Sequence, residues 1–298
     1  MPAANTHHLD PQFLAKMGNL ELIARTVVEG FITGLHKSPF HGFSVEFSQH
    51  RPYMPGDALR FVDWKVYGRT DRYYIKQFEE ETNLRSYILL DVSSSMGYRS
   101  AGLSKWTYAS YLTSALAYLL LHQRDATGLV LFDDAIRLQM PPRSMGSYLR
   151  LMLGHIEQAQ LGKDTSIAPV LHKIADQFRR RGLIILISDL LDDPQEVIKG
   201  LKHFRHDKHE VLVFHILDRQ EAEFEFSGNV LFKDLESGER VKTQPFFIRN
   251  QYRQRFQAFL KYYQLETSKN NIDYQPMFTD EPLNVALTKF LSKRRRLF

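Results

Sequence analysis

Ser86-Tyr87-Ile88-Leu89-Leu90-Asp91-Val92-Ser93-Ser94-Ser95-Met96-Gly97 is the stretch on which the reading of the whole chain turns. Tyr87 to Leu90 is an unbroken apolar run of strand length. A strand without polar alternation is covered on both faces, as in a parallel sheet flanked by helices. The run ends at Asp91 and opens into a loop of small polar residues. Alternate positions of that loop, Ser93 and Ser95, carry hydroxyls toward one side.

Outward from this stretch the chain alternates strand-like and helix-like segments. Trp106, Ala109, Leu112, Leu116 and Leu119-Leu120 recur at helical spacing, and Thr127 to Phe132 is a second apolar strand closed by Asp133-Asp134. Ile136 to Met140 alternates in and out, which suits an edge strand stopped by Pro141-Pro142. Helical periodicity covers 147–158 and 167–180, and Leu183 to Ile187 is the most strand-like run of all. Pro194 opens a helix behind Asp192-Asp193, in agreement with N-cap chemistry. A strand over 210–217, a helix over 252–265, a strand over 272–277 and a helix over 283–291 complete the series. The pattern predicts an α/β fold with a doubly wound, mostly parallel sheet. Phe224 to Pro245 breaks the rhythm and reads as an inserted β-hairpin.

The first eighty-four residues read differently. Asp10-Pro11 forms a helix start, and Leu20, Ile23, Val27 and Phe31 mark one helical face. Short strands are expected over 43–47 and 73–78, around a polar helix-like segment over 57–67. No Pro/Gly/Ser-rich linker follows. The expected organisation is therefore 1–84 as an N-terminal α+β extension packed on a sheet domain spanning 85–298.

Composition narrows the function. Hydrophobic residues make up 43% and charged residues 24%, ordinary proportions for a globular chain. The absence of cysteine excludes disulfides, thiolate zinc sites and a cysteine nucleophile. The N-terminus lacks the layout of a signal peptide, and no apolar stretch approaches the ~20 residues of a membrane span. A cytoplasmic protein is expected. The net charge of +5 includes the run Lys293-Arg294-Arg295-Arg296, which suits the negative end of a helix dipole.

In an open α/β sheet, ligands bind at the carboxyl ends of strands, where the strand order reverses. Asp91 ends one strand and Asp189 follows the run Leu183 to Ser188. If the order is the common 3-2-1-4-5-6, the two carboxylates meet at that point beside Ser93 and Ser95. Paired carboxylates repel unless a cation lies between them. An all-oxygen donor set suits a hard divalent ion, Mg²⁺ most naturally, with Mn²⁺ or Ca²⁺ as substitutes.

Asp91-Val-Ser-Ser-Ser95 resembles the Asp-X-Ser-X-Ser metal-ion-dependent adhesion site of von Willebrand factor A domains. The resemblance implies two further ligands, Thr165 in Leu161-Gly-Lys-Asp-Thr165 and Asp189. The family's paired glycines before the threonine are here reduced to Gly162, with Lys163 and Asp164 intervening. A second resemblance covers nearly the whole chain. Ser38 to Phe47, Arg51-Pro-Tyr53, Gly56-Asp57, Arg60, Val62-Asp63-Trp64-Lys65, Tyr74 to Glu79 and Ile272-Asp-Tyr274 are similar to the bacterial family 58 of domains of unknown function. Its members commonly lie beside MoxR-type AAA+ ATPases, which implies an adaptor or co-chaperone role. The ion's open coordination position then implies a protein partner that presents a Glu or Asp side chain, with Lys163 and Arg99 favouring its approach if their loops rim the site.

Rival readings are weaker. A hydrolase or phosphotransferase would use the same aspartates and serines, but no Gly-X-Ser-X-Gly elbow, phosphate loop or dinucleotide fingerprint is present. Nucleic acid would bind through the basic C-terminus and Arg179-Arg180-Arg181. His7-His8, His203, His206 and His209 read as a charged helix end and loop instead of a zinc site. Asp57, Arg60, Asp63 and Trp64 read as an ion-paired, docked helix. Asp133-Asp134 reads as a tight turn, and Asp192-Asp193 as helix capping.

Overall fold

The structure is a computed structural model that describes residues 10–36, 50–52, 66–68, 71–76, 85–162, 166–235 and 238–295. Thr165 and Lys163, the signature residues Asp57, Arg60, Asp63 and Trp64, the expected strand over 43–47, His7-His8 and Arg296 lie outside the described residues.

The chain enters through α1 (Pro11–Leu14), where the Asp10 carboxylate caps the Gln12 N–H. In α2 (Leu20–His36) the apolar stripe Leu20, Ile23, Val27 and Phe31 is buried, as its spacing predicts. Strands β1 (His50–Pro52) and β2 (Tyr74–Lys76) then pair antiparallel.

The main series follows as β3 (Arg85–Asp91), α3 (Lys105–His122), β4 (Ala126–Phe132), β5 (Ile136–Arg143), α4 (Ser147–Gln158), α5 (Ile167–Gln177), β6 (Leu183–Ser188), α6 (Pro194–His206) and β7 (Glu210–Leu217). A short helix α7 (Arg219–Glu223), the hairpin β8 (Val230–Lys233) and β9 (Arg240–Thr243), the long helix α8 (Pro245–Lys269), β10 (Asp273–Phe278) and α9 (Asn284–Arg295) complete it. The six-stranded sheet has the order β10-β7-β6-β3-β4-β5, which is 3-2-1-4-5-6 when its strands are numbered in chain order. All neighbours are parallel except β4 and β5. This is a doubly wound arrangement, and it makes β3 and β6 neighbours at the switch point.

The period-two geometry of the strands sorts their side chains into two cores. Ile88, Leu90, Ile185 and Ile187 face a layer made by α2, α3, α4 and α9. Tyr87, Leu89, Ile184 and Leu186 face α5, α6 and α8. Each fully buried aliphatic side chain contributes roughly 1.5–3 kcal/mol. Helix α3 lies between the sheet and α2 and is buried nearly all round, so it shows no polar stripe.

Several boundaries differ from the expected ones. Strand β5 runs through Pro141-Pro142 to Arg143. It is the outermost strand, where a missing N–H on the solvent side leaves no partner bereft. Helix α5 stops at Gln177 because Phe178 leaves the helical region. Helix α8 begins seven residues earlier than expected, with Pro245 in its first turn, and Ile248, Tyr252 and Phe256 continue its apolar spacing toward that end. Among the described residues no helix is long and apolar enough to cross a membrane.

Candidate metal centre

Strand β3 delivers Asp91 to the carboxyl edge of the sheet, and β6 delivers Ser188 and Asp189 beside it. Val92 still bonds to the Phe132 carbonyl, so the strand releases its backbone only at Ser93. Residues Ser94–Gly97 then wind into one 3-10 turn anchored by the fully buried Met96. This turn folds Ser93 and Ser95 onto one side, and their hydroxyls lie 3.0 Å apart.

The carboxylate of Asp91 is held from two directions. Ser93 N–H donates to Oδ1 at 2.8 Å, and Ser188 Oγ donates to Oδ2 at 2.6 Å. Asp91 and Ser93 are fully buried, Asp189 is 1% exposed, and Ser95 is 7% exposed. Of these four, Ser95 is the nearest to solvent. Burial, and then the charge of Asp189, push the Asp91 carboxyl up to about 7, against the lowering effect of its hydrogen bonds. Two acids have been brought together in a dry place, and one of them lacks a positive partner.

Asp189 has such a partner. Lys105 Nζ donates to Asp189 Oδ2 at 2.8 Å and to Glu221 Oε1 at 3.1 Å. Burial alone would lower the Lys105 ammonium, but the two carboxylates outweigh it and raise its pKa above the ordinary lysine value. Burial raises the Glu221 carboxyl, opposed by Lys105. Behind this pair, His215 Nε2 meets the Asp189 carbonyl at 2.8 Å and Nδ1 meets Tyr274 Oη at 2.6 Å. Burial holds the imidazole down at about 4, so it is neutral at physiological pH.

The loop after Asp189 is locked in place. Leu190 has a left-handed backbone, φ 52°, uncommon for a branched residue without glycine's freedom. Its N–H is bonded to Ser188 Oγ and its carbonyl to Tyr263 Oη, so the conformation is over-determined. On the other flank, Gly162 N–H donates to the Val92 carbonyl at 2.7 Å. A Cβ at Gly162 would collide with the Asp133 carboxylate, so only glycine allows this approach. The segment leading to Thr165 thus starts against the Asp91 loop, although Thr165 itself lies outside the described residues.

A divalent cation fits this donor set. Asp91, Asp189, Ser93 and Ser95 offer oxygen only; Lys105 is shared between Asp189 and Glu221, and Asp91 is held by hydrogen bonds without a cation. A divalent ion would offset the remaining excess of negative charge.

Four of the five expected ligands therefore occupy the same edge of the sheet, three of them within one turn of chain. Reading the residues missed Ser188 and Lys105. Ser188 was hidden inside an apolar strand. Lys105 had a visible signal, since a cation at the first position of an apolar helix opposes the helix dipole. The aspartates at 192 and 193 divide their work. Asp193 caps α6, whereas the Asp192 carboxylate accepts from Ile167 and Ala168 N–H at the start of α5. Asp133 forms the turn expected of it, bonding Ala135 N–H and the Arg137 guanidinium. His209 is a buried core histidine bonded to the Phe178 carbonyl, and His203 faces His172. Among the described residues no three His, Asp or Glu side chains are grouped to hold a metal, so the acid pair relies on hydroxyls.

Comparison with known proteins places the chain. Residues 49–263 match the family described as "Protein of unknown function DUF58". The chain belongs to this family. Within the curated proteins, the DUF58 chain is similar to the uncharacterized protein Rv1480 of Mycobacterium tuberculosis, 28% identical over 232 residues that cover 77% of this chain and 73% of that one. Among solved structures it resembles BatB from Bacteroides thetaiotaomicron at a TM-score of 0.50, with 18% identity over 72% of this chain and 99% of that one. An aerotolerance-related membrane protein from Bacteroides fragilis matches at a TM-score of 0.50 and 19% identity, with the same coverage. These likenesses establish the fold.

Proposed function

We propose that this DUF58 chain is a non-catalytic, cytoplasmic protein-binding module that holds Mg²⁺ through Asp91, Ser93, Ser95, Thr165 and Asp189. The observation that supports it is the buried pair Asp91 and Asp189 at adjacent strand ends, beside two hydroxyls 3.0 Å apart. Bound Mg²⁺ would offer an open coordination position to a hard anionic oxygen, such as a Glu or Asp side chain of a partner. The chain's own groups orient that site. Ser188 and Ser93 fix the Asp91 oxygens, Lys105 fixes Asp189, and the Leu190 turn prevents the loop from drifting.

The family resemblance suggests the partner, a MoxR-type AAA+ ATPase or one of its client proteins. Nucleophilic catalysis has little support. Ser93 Oγ is engaged with Ser95, and the nearby His215 spends both ring nitrogens on Tyr274 and the Asp189 carbonyl. A serine nucleophile needs a base within hydrogen-bond reach.

Two measurements test the reading. Millimolar Mg²⁺ is expected to raise the melting temperature of the wild type through mass action on the folded state, and Asp91→Ala to abolish the response. Affinity for a purified MoxR-type AAA+ ATPase is expected to require Mg²⁺ and to weaken in Asp91→Ala or Thr165→Ala. Equal affinities in Mg²⁺ and EDTA would rule out a metal-bridged contact.

A further inference from the structure

The inserted hairpin and the start of α8 form an arm on the same edge of the sheet as Asp91. Helix α8 leads into β10, which is parallel to β7, so it runs from the carboxyl edge toward the amino edge. Phe259 and Tyr263 already rest on His215, near the carboxyl end of β7. Residues 245–258 amount to about 21 Å of helix at about 1.5 Å per residue. That half of α8 extends past the edge of the sheet and carries the hairpin with it.

One side of the arm is firmly attached. Phe232 of β8 stacks on Phe224 and meets Phe226 edge-on, and Tyr252 stacks on the other part of Phe224. Arg249 donates to the carbonyls of Phe224 and Phe226, and Arg253 donates to the Glu223 carbonyl.

The other side has no partner. Cross-strand register pairs Leu231 with Lys242 and Lys233 with Arg240, so these four share the outer face. All four are exposed, and none of the three cations forms an ion pair among the described residues. Directly opposed like charges destabilise a hairpin, so this face is built against its own stability. Just beyond β9, Phe246 and Phe247 are each 77% exposed, and together with Leu231 at 56% they are among the most exposed large apolar side chains. Large exposed apolar groups beside unpaired charge mark an interaction surface.

We propose that this arm docks an acidic segment of a partner protein, one whose carboxylates are interleaved with apolar or aromatic side chains. Lys233, Arg240 and Lys242 would pair with the carboxylates, and Phe246, Phe247 and Leu231 would take the apolar groups. Three cations at separate positions on two strands, with Phe246, Phe247 and Leu231 beside them, match spaced carboxylates with apolar groups between them. The arm needs no metal.

The test uses the full chain in EDTA, so that its failure leaves the metal reading standing. Fluorescence anisotropy would follow a labelled random copolymer of glutamate and tyrosine, with polyglutamate, phosphatidylserine vesicles and oligothymidine as competitors. The copolymer is expected to bind about tenfold more tightly than polyglutamate, the size of effect that apolar anchors give. Phe246→Ser with Phe247→Ser is expected to erase that difference. K233E/R240E/K242E is expected to remove copolymer binding, whereas the matched reversal R179E/R180E/R181E, at three exposed arginines, is expected to retain it. Equal loss in both triple variants would reduce the effect to net charge and overturn the proposal. So would unchanged binding in the arm variants, or a preference for vesicles or oligothymidine over the copolymer.

Discussion

Lys105 reaches Asp189 across 2.8 Å at a position where neither side chain is more than 1% exposed. A buried ion pair adds little when intact, because desolvation offsets the attraction, but breaking it leaves a bare charge in a dry place. Lys105→Met is therefore expected to destabilise the fold by about 3–5 kcal/mol. Urea denaturation measures this, and a loss below about 1 kcal/mol, the range of a surface pair, would show that the pair is not isolated from water.

The acid pair sets a pH dependence in the metal-free protein. The Asp91 carboxyl sits at about 7 in the fold against 3.8 in the unfolded chain. Between these values the native state holds a proton that the unfolded state has lost, so stability falls as pH rises. Because the neutral His215 opposes this trend over nearly the same window, the slope is read in a His215→Gln background: melting in EDTA is expected to worsen there from pH 5 toward pH 7, and adding Asp91→Asn to flatten that slope. Metal ligation needs the ionised carboxylate, so the Mg²⁺ response is expected to grow over the same interval. A slope in the double variant equal to that of His215→Gln alone would contradict the assignment.

His215 acts in the opposite sense. Its imidazole is held at about 4 in the fold against 6.5 when unfolded. As pH falls through that window the unfolded chain takes up a proton that the native chain refuses, at a cost of about 3 kcal/mol. His215→Gln is expected to remove this acid limb while leaving the Asp91 limb in place. Acid titrations followed by circular dichroism separate the two variants.

The neighbouring caps offer a matched comparison. Asp192 and Asp193 cap α5 and α6, so replacing either by alanine is expected to cost about 1 kcal/mol. Asp192 binds the first N–H groups after the segment that contains Thr165, and Asp193 does not. Asp192→Ala is therefore expected to weaken the Mg²⁺-induced rise in melting temperature beyond its cost in stability. Asp193→Ala is expected to leave that rise unchanged, and equal responses would separate α5 from the site.

Much of this architecture was legible because its cause is periodic. Apolar runs such as Tyr87 to Leu90 and Leu183 to Ile187 have no other use than a doubly covered strand, and they place Asp91 and Asp189 at strand ends. Right-handed crossovers then leave a doubly wound sheet as the economical topology, for which 3-2-1-4-5-6 is a common order. What stayed hidden depended on partners distant in sequence. Lys105 reads as an ordinary helix start until Asp189 and Glu221, 84 and 116 residues away, are seen to enclose it. Ser188 looks like a lapse in an apolar strand until it meets Asp91. The early start of α8 is masked because Pro245 reads equally as the end of the inserted hairpin.

The length of α8 has a mechanical consequence. Phe259 rests edge-on against His215, and Tyr263, four residues on, is tied by its hydroxyl to the Leu190 carbonyl. Phe246 lies thirteen residues to the other side, so the helix has an outer arm of about 20 Å and an inner one of about 6 Å. Arg249, Tyr252 and Arg253 also tie this stretch to residues 223–226, so a load on the two phenylalanines is shared between the base of the hairpin and the turn beside Asp189.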